Sequence, residues 1–345
     1  MVPMQILPAE WSPQSAVMLT WPHMHGPLGR ILAQVEKVFV HIARAVTAHE
    51  PLVISCLHAE HRDHIATQLR AAGVDLTRVH LALAPSNDVW ARDHGPITVL
   101  RDGRPLLLDF AFNGWGRKYP FDLDNALSRT LHTQGVFGTT PLEGIDLILE
   151  GGSIESDGQG TLLTTRHCLL NPQRNPQYDC VGLEGIFAQV FGSRRVLWLD
   201  HGELEGDDTD GHIDTLARFC DEHTIAYVRC DNPRDSHYEP LLEMERELRG
   251  FRDNDGKPYR LVPLPLPAPK RDEHDKRLPA TYANFLIIND AVLIPVYDDV
   301  MDAVALERLA PCFPGRELIA INCLPLIRQY GSLHCVTMQL PAGVL

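Results

Sequence analysis

Pairs of short apolar runs joined by two to four polar residues recur along this chain, and a helix-spaced stretch and one further apolar run follow each pair. The runs at 97–100 and 106–108 flank Arg101-Asp102-Gly103-Arg104, and those at 153–156 and 161–164 flank Asp157-Gly158-Gln159-Gly160. Runs at 215–219 and 225–228 flank Cys220-Asp221-Glu222-His223, and runs at 285–288 and 292–294 meet around Asn289-Asp290. Asp, Asn and Gly at such junctions accept positive φ, so the pattern predicts antiparallel hairpins. Helical spacing follows at 124–131, 181–191, 241–248 and 303–310, and apolar runs then close each unit at 147–149, 196–199, 261–264 and 318–321. The N-terminal part predicts a strand at 16–20, an amphipathic helix over 31–48 and a strand at 52–55.

About five ββαβ units, spaced by roughly 50 to 70 residues, predict a repeat architecture of the α/β class. Arranged radially with pseudo-five-fold symmetry they make a five-bladed α/β propeller, one domain spanning 1–345 around a central channel. An open, doubly wound α/β sheet is the commoner alternative, but its parallel strands need long crossovers, and strands two to four residues apart must be antiparallel. The segment 252–279, rich in Pro, Lys, Arg and Asp, reads as an exposed loop.

Composition narrows the function. The net charge of −14 disfavours nucleic-acid surfaces, which need clustered Lys and Arg, and favours cationic ligands. No apolar run approaches the ~20 residues that span a bilayer, and the start at Met1 shows no basic-then-apolar leader, so a cytoplasmic protein without membrane contact is expected. The 8 cysteines form no C-x-x-C pair, and neither a G-x-G-x-x-G after a strand nor a phosphate-binding G-x-x-x-x-G-K-[ST] is present. No metal or cofactor is therefore expected.

Polar motifs stand immediately before the hairpins: Asn87 to Pro96, Glu150-Gly151-Gly152, Asp208 to Asp214, and Gly331-Ser332-Leu333-His334-Cys335. In a radial repeat each occupies the same rim, so Asp93, Glu150, His212, Asp214 and Cys335 converge. A lone cysteine is more often a small buried hydrophobe, but Cys335 with a distant His212 has the arrangement of a thiolate nucleophile and its acid–base partner. His334 is a rival for that role, although adjacent residues of a strand face opposite ways. Carboxylates repel a developing oxyanion yet match the N–H fork of a guanidinium, so the set suits attack on a guanidinium carbon. The same carboxylates are expected to raise the Cys335 thiol pKa until a cation arrives. Trp90 offers the cation an aromatic face or simply packs, and Asp207, Asp208 and Asp210 either receive a second positive charge or form a solvated acidic loop.

The motifs W-x-R-D-x-G-P at Trp90 to Pro96, E-G-G at Glu150 to Gly152, D-x-D-G-H-x-D at Asp208 to Asp214 and H-C-x-T at His334 to Thr337 give the chain a family likeness. It resembles the agmatine deiminases of the guanidino-group-modifying superfamily, bacterial relatives of the peptidylarginine deiminases. The resemblance implies a five-fold α/β propeller (pentein) without metal, converting agmatine and water to N-carbamoylputrescine and ammonia in polyamine synthesis. It implies Cys335 as nucleophile, His212 as general acid and base, and Asp93 and Asp214 as guanidinium ligands, with Glu150 and Trp90 in supporting contact. Where that family usually carries Asp-Trp after Trp21-Pro22-His23, this chain has Met24-His25-Gly26. Free or peptidyl arginine is the nearest alternative substrate, for which Arg117 or Arg30 would meet a carboxylate. A zinc hydrolase using His94, His212, Asp214 and Cys335 and a non-catalytic binding propeller are further alternatives. The expected partner is a small cationic guanidine, and a homodimer is left open.

Overall fold

The computed structural model describes residues 4–345; Met1, Val2 and Pro3, part of the start read for a leader, lie outside the described residues. Its named strands form five sheets within a mixed α/β fold. In the first, Ile97–Arg101 pairs antiparallel with Arg104–Ala111, which pairs parallel with Leu142–Ile148 across the helix Asp122–Thr133. The hairpin turns through Asp102 at φ 50° and Gly103 at φ 76°, the positive pair that an Asp-Gly turn supplies.

The next three sheets repeat this order. Ile154–Ser156, Thr161–Thr165 and Arg195–Leu199 form the second, with the helix Cys180–Phe191 in the crossover. Ala217–Asp221, Thr224–Val228 and Arg260–Leu264 form the third, with Tyr238–Gly250, and Leu286–Ile287, Ala291–Val296 and Glu317–Asn322 the fourth, with Met301–Leu309. The middle strands of these three sheets are buried at nearly every position, as strands covered on both faces are. Phe191 stands 5.5 Å from Phe110 of the first sheet.

The fifth sheet joins the two ends of the chain. Thr337–Pro341 pairs antiparallel with Gln14–Thr20, which continues in parallel into Leu52–Cys56 and Val79–Leu83. The N-terminal unit, for which the pattern offered no hairpin partner, thus takes its partner strand from the C-terminus. The helix Leu32–His49 covers this sheet with Val35, Val38, Phe39, Ile42 and Val46, one face at helical spacing. The helix Ala59–Ala71 and the strand Val79–Leu83 are additions that the pattern did not predict.

The segment 252–279 is not one exposed loop, because Arg260–Leu264 is a strand and Leu264, Arg277 and Leu278 are buried. The strand's apolar positions dock on Thr224–Val228. The flanking turns are the exposed parts, and their tip reaches the chain ahead of Cys335: Glu273 pairs with Arg328 at 2.9 Å, and Lys276 Nζ lies 4.2 Å over the Tyr330 ring. No described helix is long and apolar enough to cross a membrane.

Candidate active site

Each motif lies in the short segment that enters the first strand of a hairpin. Asp93 belongs to the single turn Ala91–His94 before Ile97, Glu150 precedes the turn Gly151–Ser153, and His212 and Asp214 flank Ile213 before Ala217. Arg92 N donates to Cys335 O at 3.1 Å, tying the first of these segments to the last. The entry segment of the fourth unit contributes Asn284. Its Oδ1 accepts from His334 N at 2.9 Å and lies 3.4 Å from Cys335 Sγ, and its Nδ2 donates to Asp214 O at 3.2 Å. Asn284 was missed in the sequence, although its place ahead of Leu286 is the place the other site residues occupy.

Cys335 Sγ lies 3.9 Å from Asp214 Oδ2. Burial, then the Asp214 and Asp93 charges, push its thiol well above the ordinary value, as the carboxylate set leads one to expect. Asp93 accepts Trp115 Nε1 at 2.9 Å and Gly152 N at 3.1 Å, and its Oδ1 stands 3.6 Å from His212 Nδ1. Burial raises the Asp93 pKa to about 6 against the pull of His212, with Asp214 and Glu150 adding to the rise. His212 is fully buried, and neither ring nitrogen has a hydrogen-bond partner. Burial disfavours its charge, but Asp93, Cys168 and Glu150 outweigh that and raise its pKa to about 10. Asp214 Oδ1 is likewise buried and unpartnered.

Gly152 makes this crowding possible. A Cβ there would fall 2.6 Å from His212 Nδ1 and 2.9 Å from Asp93 Oδ1. A Cβ at Gly331 would fall 2.2 Å from the Trp90 ring, so Trp90 is both packed against the cysteine segment and exposed to the cleft.

That cleft, of roughly 370 Å³, is lined by Cys335, Asp93, Trp90 and Asp208, and also by Asp88, Trp115, Thr209, Tyr119, Gln329, Tyr330 and Gly331. No lysine or arginine lines it, and the exposed Arg30 and Arg117, candidates for a substrate carboxylate, lie outside it. Glu150 is not in the lining: both its oxygens accept Arg174 Nε at 2.9 Å, in a fully buried ion pair beside His212. Asp208 reaches the cleft, but Tyr119 Oη donates to it and Lys118 Nζ lies 3.5 Å away. Asp207 is spent on its own turn, accepting Gly211 N at 2.7 Å, and Asp210 pairs with Arg174 and Lys118. A larger cleft of about 600 Å³, bordered by Glu10, Arg92 and Glu155, contains none of Cys335, His212, Asp93 or Asp214.

His334 is not in the cleft lining, but its Nδ1 lies 2.7 Å from Asp214 Oδ2, the oxygen that Cys335 Sγ also approaches, and its Nε2 lies 2.7 Å from Glu10 Oε2. His94 meets Thr20 Oγ1 at 2.9 Å, and burial drives its pKa to about 3. Among the described residues, the groups whose donor atoms could gather round one ion include no set joining His94 to Cys335, which removes the geometric basis for the zinc alternative. Two of those groups, Glu150–Cys168–His212 and Glu10–Glu155–His334, are already met by Arg174 and Arg218.

A family model described as Porphyromonas-type peptidyl-arginine deiminase matches residues 6–341. The chain belongs to that family. An agmatine deiminase of Pseudomonas syringae pv. tomato is 31% identical over 97% of this chain and 95% of its own length. A solved structure from Porphyromonas gingivalis, named as a candidate arginine deiminase, is 50% identical, with a TM-score of 0.91 over 98% of this chain and 99% of its own. A cysteine-to-serine variant of C. jejuni agmatine deiminase, solved with substrate bound, is 35% identical, with a TM-score of 0.90 over 98% and 96%. The family model and these relatives thus carry names for three guanidine substrates, peptidyl-arginine, arginine and agmatine, and the choice for this chain turns on its own cleft.

Proposed function

We propose that this family member is a cysteine hydrolase that converts agmatine and water to N-carbamoylputrescine and ammonia, with its five sheets as the blades of one radial propeller domain. The observation that carries the reading is a buried thiol between two carboxylates, with His212 and Asp214 Oδ1 both lacking partners. A guanidinium supplies the N–H donors that Asp214 Oδ1 lacks, and a positive charge beside the two carboxylates. The substrate-bound C. jejuni relative supports agmatine, as does a cleft lined by carboxylates and aromatics without a cation for an α-carboxylate.

Asp93 and Asp214 hold the two edges of the guanidinium, and the arriving charge offsets the field that keeps Cys335 protonated. The thiol releases its proton to water, and Sγ bonds to the central carbon as the C–N π electrons move onto nitrogen. The resulting tetrahedral centre expels one nitrogen as ammonia, which takes the proton that His212 carries at neutral pH. This leaves an S-alkylthiouronium on Cys335. His212, now neutral, accepts a proton from water as its oxygen attacks the same carbon, and collapse breaks the C–S bond to give the urea product and free Cys335. Trp90 covers the guanidinium face, while Glu150 holds the charge on His212 from behind. Mass spectrometry after acid quenching with agmatine tests the reading: a thiouronium adduct on Cys335 is expected, and an unmodified Cys335 alongside ammonia release would sink it.

A further inference from the structure

Three carboxylates line the cleft, Asp88, Asp93 and Asp208, and one of them faces no cationic group. Asp93 faces His212, and Asp208 is answered by Lys118 and Tyr119. Asp88 is 5% exposed, and no lysine, arginine or histidine among the described residues lies within ion-pair distance of it. Its Oδ1 accepts the next backbone N–H, Val89 N at 2.8 Å, and its Oδ2 has a long contact of 3.3 Å from Gln329 Nε2.

A second carboxylate lies against it. Asp124 Oδ1 accepts Asp88 N at 3.2 Å and Asn87 N at 2.7 Å, and Asp124 Oδ2 has no partner at all. Two buried carboxylates therefore share one region without a cation, a costly arrangement for a folded chain to keep. Burial holds Asp88 up at about 7 and Asp124 at about 8. The walls beside Asp88 are the rings of Trp90, Tyr119 and Tyr330, which suit methylene groups and the face of a cation.

We propose that Asp88 is the counter-ion for a primary ammonium at the far end of the substrate, making it the residue that selects cationic-tailed guanidines. The inference rests on the deiminase reading and refines it. It moves the far-end contact from Asp208, whose charge is already balanced, to the one carboxylate of the cleft that lacks a cation. It also accounts for tail recognition without residues 24–30, none of which lines the cleft. An amino acid such as arginine places a carboxylate beside its ammonium, and no positive side chain of the lining would meet it.

The test compares agmatine with n-butylguanidine, which has the same guanidinium and chain length but no ammonium. In the unsubstituted protein kcat/KM is expected to favour agmatine by about 10- to 100-fold, the range of a charge-assisted hydrogen bond, mostly through KM. In Asp88→Asn that ratio is expected to fall toward one, with n-butylguanidine turnover reporting in the same sample that the site is intact. An unsubstituted protein that does not discriminate overturns the proposal, as does a ratio preserved in Asp88→Asn or lost in Asp208→Asn instead. Ammonia release from neither compound would refute the deiminase reading itself, and the assignment of Asp88 with it.

Discussion

His334 Nδ1 stands 2.7 Å from Asp214 Oδ2, so the histidine next to the thiol serves the carboxylate facing that thiol. Its Nε2 meets Glu10 at 2.7 Å on the other side. Burial and the Arg218 and Arg92 guanidinium groups pull the His334 pKa below its ordinary value, whereas two contacts this short call for a proton on each nitrogen. Glu10 and Asp214 are themselves both held low, so the short contacts decide and the ring donates both ways. His334→Ala is expected to leave Asp214 buried without its donor and to lower kcat/KM by about 10- to 100-fold, the cost of an unsatisfied buried group. His334→Gln keeps one donor and should retain more activity; equal losses in the two variants would count against the hydrogen bond as the cause.

The Trp115 N–H stabilises the charged form of Asp93, whose pKa burial raises to about 6. Below that value Asp93 is neutral and cannot pair with a guanidinium, so kcat/KM should fall as pH drops through about 6. The alkaline limb should follow His212, which loses the proton needed for ammonia departure near 10. Trp115→Phe removes a bond made to the carboxylate form, so the Asp93 pKa rises and the acid limb moves upward by about 1 unit. A pH–rate profile with an unmoved acid limb would assign that limb to another group.

The hairpin rhythm made much of this fold legible, because Asp-Gly and Asn-Asp turns set off short apolar runs whatever those runs later pack against. It also placed Asp93, Glu150, His212 and Cys335 just ahead of first strands. What it could not reveal were pairings between distant segments. Thr337–Pro341 completes the unit that begins at Gln14–Thr20, and nothing local in either segment names the other. Arg174 on Glu150 and Lys118 on Asp208 are likewise long-range pairings, and they alter which carboxylates remain free for a ligand. Trp115 sits at φ 55° in a kinked turn whose sequence carries no regular period. Asn284 was within reach, since extending the entry-segment rule to the fourth unit points straight to it.

Gly152→Ala tests how closely the site is packed. The backbone there tolerates alanine, as its φ is not positive, so any effect comes from the new methyl against His212 and Asp93. Activity is expected to drop by at least about 100-fold, the cost of misplacing reacting groups by ~1 Å. Circular dichroism should stay unchanged. Gly250→Ala, whose Cβ meets nothing within 4 Å, should keep full activity, and a Gly152→Ala enzyme of comparable activity would show that His212 is not held there.

Asp124 offers a stability test with a definite sign. Burial, with the Asp88 charge adding to it, raises its pKa from an ordinary 3.8 to about 8, so the folded protein favours the protonated form. That contribution is fully present below 3.8 and is lost as pH rises through about 8, where the fold must hold an unpartnered charge. Asp124→Asn keeps an oxygen for the Asn87 and Asp88 amides and cannot ionise. Urea unfolding at pH 9 should therefore find it more stable than the unsubstituted protein by on the order of 2 kcal/mol or more, with the gain shrinking steadily as the pH is lowered toward 3.8. Stability curves that run parallel across this range would show that Asp124 is already neutral or already paired at every pH.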